Sequence, residues 1–146
     1  MYPLIIESGS AAFTRRIGKT LAGHLSAGDI LLLCGDLGSG KTCFTQGLAN
    51  GLGIPGYIRS PTFVLISVHR GRLPLYHMDI YRLNEVEEIL RTGLEEYLDG
   101  DGICVIEWAD KAMSIFPDSC LIVNLKTTGT KNRHIEMVPR GHYYET

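Results

Sequence analysis

Absences narrow this sequence before any motif does. No two of its four cysteines (Cys34, Cys43, Cys104 and Cys120) lie within four positions of each other, so there is no C-x-x-C pair for zinc or dithiol chemistry. Cys34 and Cys104 stand inside apolar runs and read as buried thiols, a usage that suits a reducing compartment. No apolar stretch reaches the roughly 18 residues of a membrane helix. Met1–Ser10 has no basic stretch followed by a long apolar run, so no secretory leader is expected there. Together these place the expected site of action in the cytoplasm, away from any membrane. There is no strong excess of one charge either: the net value is -2, which advertises neither a nucleic-acid nor a membrane surface for the chain as a whole. Repeats, low-complexity segments and linker-like runs are all missing.

What remains is the composition of an ordinary globular domain. The 146 residues are 45% hydrophobic and 21% charged, enough for one core without disulfides or a structural metal. The expectation is a single P-loop ATPase domain over residues 1–146.

The apolar pattern alternates between strands and helices. Leu4–Glu7 reads as a short strand, and Ser8 or Ser10 can cap the helix after it. Phe13, Ile17, Leu21 and Leu25 recur every four residues and predict an amphipathic helix over Ala11–Leu25. Ile30–Cys34 is a short continuous apolar run, the pattern of a strand buried on both faces. A second helix is expected from Lys41, with Phe44, Leu48 and Leu52 on one side and Gly51 and Gly53 ending it. Phe63–Val68 and Arg72–Met78 read as a hairpin around His69-Arg70-Gly71, with Pro74 placing the early part of its second arm at a sheet edge. Val86, Ile89, Leu90, Leu94 and Leu98 have helical spacing, split at Gly93. Ile103–Ile106 is another buried strand, and Leu121–Leu125 and His134–Val138 are closing strands. This predicts an α/β fold of the P-loop NTPase kind: three layers, a mostly parallel central sheet and an antiparallel hairpin.

Between the first buried strand and the second helix lies Gly35-Asp36-Leu37-Gly38-Ser39-Gly40-Lys41-Thr42, a full match to G-x-x-x-x-G-K-[ST]. Each position has a physical reason. Gly35, Gly38 and Gly40 let the backbone curl and approach a phosphate where a Cβ would intrude. The following helix start adds partial positive charge and free N–H groups. Lys41 is a point charge for the β- and γ-phosphates, and the Thr42 hydroxyl is a ligand for Mg²⁺. Cys43, next in line, sits at the helix start, where its thiol is either packed or activated.

A nucleotide site of this type needs an acid at the end of a neighbouring strand. Two candidates follow apolar runs: Asp79 after Leu75-Tyr76-His77-Met78, and Glu107 after Ile103-Cys104-Val105-Ile106. Either can hold magnesium, directly or through water, or orient the attacking water; spacing does not divide those roles. Thr62, in Arg59-Ser60-Pro61-Thr62, is a candidate γ-phosphate sensor. His69, His77 and His134 show no ligand spacing and read as structural. Seven acids against one arginine over Glu85–Asp101 read as a solvated face or a dock for a basic partner.

The ordered set G-D-L-G-S-G-K-T (35–42), S-P-T-F (60–63), Y-H-M-D-I-Y-R-L (76–83), G-L-E-E-Y-L (93–98) and I-E-W-A-D (106–110) resembles the TsaE (YjeE) family, P-loop ATPases of tRNA threonylcarbamoyladenosine biosynthesis. The resemblance implies a Mg-dependent ATPase that binds ATP and acts with TsaB and TsaD, which modify adenosine 37 of tRNAs reading codons that start with A. Contact with tRNA would be indirect, through the complex, and this chain would not itself transfer the threonylcarbamoyl group. By position, Lys41, Asp79 and Glu107 would be catalytic. Thr42 and Glu107 would match the family's magnesium site, and Asp79 its Walker-B-like acid. Thr14, Gly38, Ser39, Gly40, Lys41, Thr42, Cys43, Asp79 and Arg133 would line the nucleotide. Thr62 and Trp108 would fall in the switch and catalytic neighbourhoods. Departures are mild: Ser39 stands where alanine is common, Cys43 where threonine is, and Ala109-Asp110 where proline and glutamate are.

The competing expectation is a nucleotide-gated binding module, in which bound ATP orders a surface for a partner and hydrolysis is incidental. A small-molecule kinase is disfavoured because the arginines are scattered, and a GTPase because N-K-x-D is missing.

Overall fold

The computed structural model describes residues 4–35, 40–54, 66–79, 94–98, 100–107 and 119–141. In chain order these form β1 (Leu4–Ser8), α1 (Ala11–Ala22), β2 (Ile30–Gly35), α2 (Lys41–Gly51), β3 (Ile66–His69) and β4 (Leu75–Asp79). There follow α3 (Leu94–Leu98), β5 (Ile103–Glu107), β6 (Cys120–Thr127) and β7 (Arg133–Arg140).

All seven strands join one sheet in the order β1-β7-β6-β2-β5-β4-β3. The four middle strands run parallel, β6 beside β2, β2 beside β5 and β5 beside β4. The expected hairpin is present as the antiparallel pair β3–β4. A second antiparallel group, β6–β7–β1, closes the other margin and joins the first strand of the chain to the last.

The continuous apolar runs are strands buried on both faces, as their composition requires. Leu31 and Leu33 of β2, with Ile103 and Val105 of β5, join the core under α1 and α2. Ile30, Leu32 and Cys34, with Cys104 and Ile106, join the core on the opposite face, where Tyr97 and Leu98 of α3 cover them. These are the three expected layers.

Several boundaries moved for local reasons. Ser10, not Ser8, caps α1: its Oγ accepts from the Phe13 N–H at 3.1 Å. The helix ends at Ala22, with Gly23 as cap, while Leu25 is buried from the loop beyond it. Pro74 stands one residue before β4, where its missing N–H interrupts no ladder, and its carbonyl accepts from the Ile103 N–H at 2.8 Å. β4 itself lies inside the sheet, and β3 forms the edge. The helical pattern over Val86–Leu98 is described only at Leu94–Leu98; its start and the split at Gly93 lie outside the described residues, as does Phe63–Leu65 of the hairpin.

The buried face of α1 is also displaced from the expected stripe. Thr14, Gly18 and Ala22 face inward with Ile17, whereas Phe13 is 39% exposed. The cause is the close approach of α2. A Cβ on Gly47 would lie 2.0 Å from the Arg15 carbonyl oxygen, and one on Gly18 would lie 2.3 Å from that of Phe44. Gly51 remains helical as the last residue of α2 because the same approach continues there, 2.6 Å from the Lys19 oxygen; Gly53, at φ +74°, makes the stop.

Candidate functional site

The middle strands are parallel, so β2, β4 and β5 end at one edge of the sheet. β2 has β5 on one side and β6 on the other, although the chain visits β5 and β6 consecutively. That reversal opens a crevice beyond the carboxyl ends of the strands, the usual ligand position in an open α/β sheet. The glycine-rich segment leaves from the end of β2 at that point.

Of the phosphate-loop motif, Gly35 and Gly40–Thr42 are described; Gly38 and Ser39, with Asp36 and Leu37, lie outside the described residues. Gly40 precedes α2 at φ +100°, a left-handed conformation, which is why glycine is needed there. It offers no side-chain cap, and the first turn of α2 carries no acidic residue. The positive end of the helix dipole is therefore not neutralised by its own first turn. Lys41 is 5% exposed, and its Nζ folds back to donate to the Gly35 carbonyl at 2.5 Å, holding the ammonium at the end of β2. Thr42 and Cys43 are half-buried beside it.

A cleft of about 430 Å³ opens next to the start of α2, lined by Ser10, Ala11, Ala12, Thr14, Gly40, Cys43, Thr130, Lys131 and Arg133. Four of the expected site residues, Thr14, Gly40, Cys43 and Arg133, thus come together from three helix or strand starts and a loop. The pairing of Ser8 with Arg133 across β1 and β7 builds one wall. The β6–β7 turn, closed by the Thr128 N–H on the Asn132 carbonyl at 3.0 Å, brings Thr130 and Lys131 to it. The Arg133 Nη1 donates to the Asn132 carbonyl at 2.9 Å and the Gly129 carbonyl at 3.3 Å, which steadies the side chain within that turn. Lys131 was not anticipated from the sequence, since a lone lysine in a polar turn carries no signal until the turn is placed.

The polarity of Thr14 follows from its neighbours. The Ser8 hydroxyl donates to the Ser10 carbonyl at 2.9 Å. A hydroxyl has a single proton. The 2.7 Å contact between Ser8 and Thr14 is therefore donated by Thr14, whose Oγ1 can then only accept from a further group.

The two strand-end acids are brought together. Asp79 and Glu107 are register partners across β4 and β5, and Leu33 pairs with Glu107 from the other side. Glu107 is 2% exposed and Asp79 is half-buried. Their side chains leave the sheet on the face that carries α1 and α2. On the same face, two residues before Asp79, His77 is fully buried with its Nε2 hydrogen-bonded to Glu107 Oε2. The structural role expected of His77 is thus played against a strand-end acid. A thirty-residue separation hides this pair, and the available signal was only that His77 and Asp79 share a face of one strand. Burial and the adjacent His77 hold the pKa of His69 below its ordinary value. Cys104, on the far face, is pushed up to about 12 by burial and is an inert thiol.

Among the described residues no group of three or more His, Cys, Asp or Glu side chains is placed to hold a metal. A magnesium ion at the end of β5 would fit the donors present in another way, through one or two protein oxygens with phosphates and water completing its shell. Thr62 and Trp108 lie outside the described residues. No helix among the described residues is long and apolar enough to cross a membrane.

Comparison with known proteins follows the same outline. The family model described as "Threonylcarbamoyl adenosine biosynthesis protein TsaE" matches residues 8–135. The chain is 44% identical over 128 residues to the tRNA threonylcarbamoyladenosine biosynthesis protein TsaE of Treponema pallidum, covering 88% of this chain and 95% of that one. It is 44% identical over 133 residues to the protein of the same name from Bacillus subtilis, covering 90% and 83%. The crystal structure of YdiB from Bacillus subtilis superposes with a TM-score of 0.82 at 38% identity, over 99% of this chain and 90% of that one.

Proposed function

This chain belongs to the TsaE family of threonylcarbamoyl adenosine biosynthesis proteins, and from that premise we propose that it is the Mg-dependent ATPase of that tRNA modification. It acts in the cytoplasm with TsaB and TsaD, on the pathway to modified adenosine 37, without transferring the threonylcarbamoyl group itself. The observation that carries the reading is one juxtaposition: Lys41 folds onto the carbonyl of Gly35 at the end of β2, and the parallel neighbour β5 ends on Glu107, in register with Asp79 at the end of β4.

Each residue then has a task its position suits. The amides at the start of α2 and the Lys41 ammonium hold the β- and γ-phosphates, Lys41 exchanging the Gly35 carbonyl for phosphate oxygen. Lys131 and Arg133 add positive charge at the cleft wall. Thr14 can only accept, which suits the exocyclic amino group of adenine and not the carbonyl of guanine. Thr42 and Glu107 hold magnesium, and Asp79 orients the attacking water or the water shell of the metal. When bound, magnesium neutralises phosphate charge as it develops.

The test is ATP turnover by the purified chain, with and without TsaB and TsaD. Slow turnover alone and faster turnover in the complex are expected. No turnover in either case, with Mg-ATP binding intact, removes the enzyme reading; partner affinity that then differs between ATP and ADP forms establishes the gated binding module instead.

A further inference from the structure

The buried histidine of β4 has no part in the scheme above, and it is the most constrained polar group near the site. His77 has no exposed surface, and its partner Glu107 has almost none. In the role proposed for Glu107 its carboxylate accepts, and the ring donates to it from Nε2. The other ring nitrogen, Nδ1, is buried with no hydrogen-bond partner among the described residues. Burying a polar atom without a partner opposes folding. On the face that buries Leu75 and Ile103, His77 sits in register with Val105 on one side and Ser67 on the other. An aliphatic side chain would fill this place without that penalty. The imidazole therefore contributes something packing alone does not, and its hydrogen bond to Glu107 says what.

We propose that His77 is a positioning residue for Glu107: its Nε2–H holds one carboxylate oxygen, fixing the plane and rotamer of the group that faces magnesium. The inference rests on the proposed role of Glu107 as metal ligand. The fold supplies the geometry. Glu107 is the last residue of β5, and Asp79, its register partner, is the last of β4. His77 lies one pleat further into the sheet, anchored by β3 and β5 on either side. Its ring thus ties a side chain at the sheet margin to a rigid interior position. Hydrogen bonds of this kind to metal ligands are commonly worth about 10- to 100-fold in metal affinity or activity.

The readout is the magnesium dependence of nucleotide binding, followed with a fluorescent ATP analogue in the full chain, and it needs no turnover. His77→Leu is expected to raise the half-saturating magnesium concentration by about 10- to 100-fold, leaving nucleotide affinity in EDTA close to that of the wild type. His77→Gln places an amide N–H near the Nε2 position and is expected to stay close to wild type; His77→Asn, whose amide falls short of it, is expected to behave like the leucine variant. In a Glu107→Gln background His77→Leu adds no further shift. Should the leucine variant fail to fold by circular dichroism, the Gln and Asn pair decides the matter. An unchanged magnesium requirement in folded His77→Leu overturns the proposal, as does equal impairment by Gln and Asn, which is the signature of packing. If Glu107→Gln alone leaves the magnesium requirement unchanged, the metal-ligand reading fails instead.

Discussion

Lys41 concentrates the residue-scale logic of the site. An ammonium 5% exposed, bonded to the carbonyl that ends β2, is a charge only weakly screened by water. Its worth to a phosphoryl transition state is set by that preorganisation. Lys41→Ala is expected to remove about 3 kcal/mol of transition-state stabilisation, a loss of about a hundredfold in ATP turnover. Turnover equal to the wild type, measured at saturating nucleotide, refutes the role. Cys43 and Cys104 show how position overrides residue type: the first is half-buried at the cleft, while burial alone makes the second unreactive.

At the scale of elements, the decisive contact is α1 against α2. The helices meet through Gly18, Gly47 and Gly51, backbone to backbone, which draws Thr14 close to the start of α2. Gly47→Ala tests how much depends on that approach. Alanine improves helix propensity by about 1 kcal/mol. The new Cβ, 2.0 Å from the Arg15 oxygen, meets backbone that no rotamer change can move aside. The clash is expected to win, with a net loss of about 2 kcal/mol read from the urea midpoint. An unchanged or raised midpoint disproves the tight contact. The amphipathic stripe misled here for a physical reason. Periodicity finds the apolar residues of a helix, but glycines set where another helix comes nearest.

For the whole molecule, the cleft is assembled from distant parts of the chain: α1, the start of α2, the β6–β7 turn and the first residue of β7, held by the antiparallel closure of β1 on β7. A ligand that bridges these parts must stabilise the native state as a unit. At a hundred times its dissociation constant, Mg-ATP is expected to add about 2.7 kcal/mol to unfolding stability, visible as a rise in melting temperature. Mg-GTP at equal concentration is expected to add less, because the Thr14 oxygen cannot donate to a base carbonyl. No rise with Mg-ATP, or equal rises with both, contradicts the ATP site or its selectivity respectively.

The sequence by itself determined the buried strands, the glycine–lysine turn between β2 and α2, and the acids that end β4 and β5. All are local, since a strand buried on both faces, a left-handed Gly40 and a strand-ending carboxylate each leave a mark in a few consecutive residues. The same short motifs carried the resemblance to TsaE proteins. Only the tertiary structure decided that β1 pairs with β7, that Asp79 and Glu107 are register partners, and that His77 grips Glu107. Those facts depend on strand order and register, which bring together residues 28 to 133 positions apart. Nothing in the spacing along a chain encodes a neighbour across a sheet.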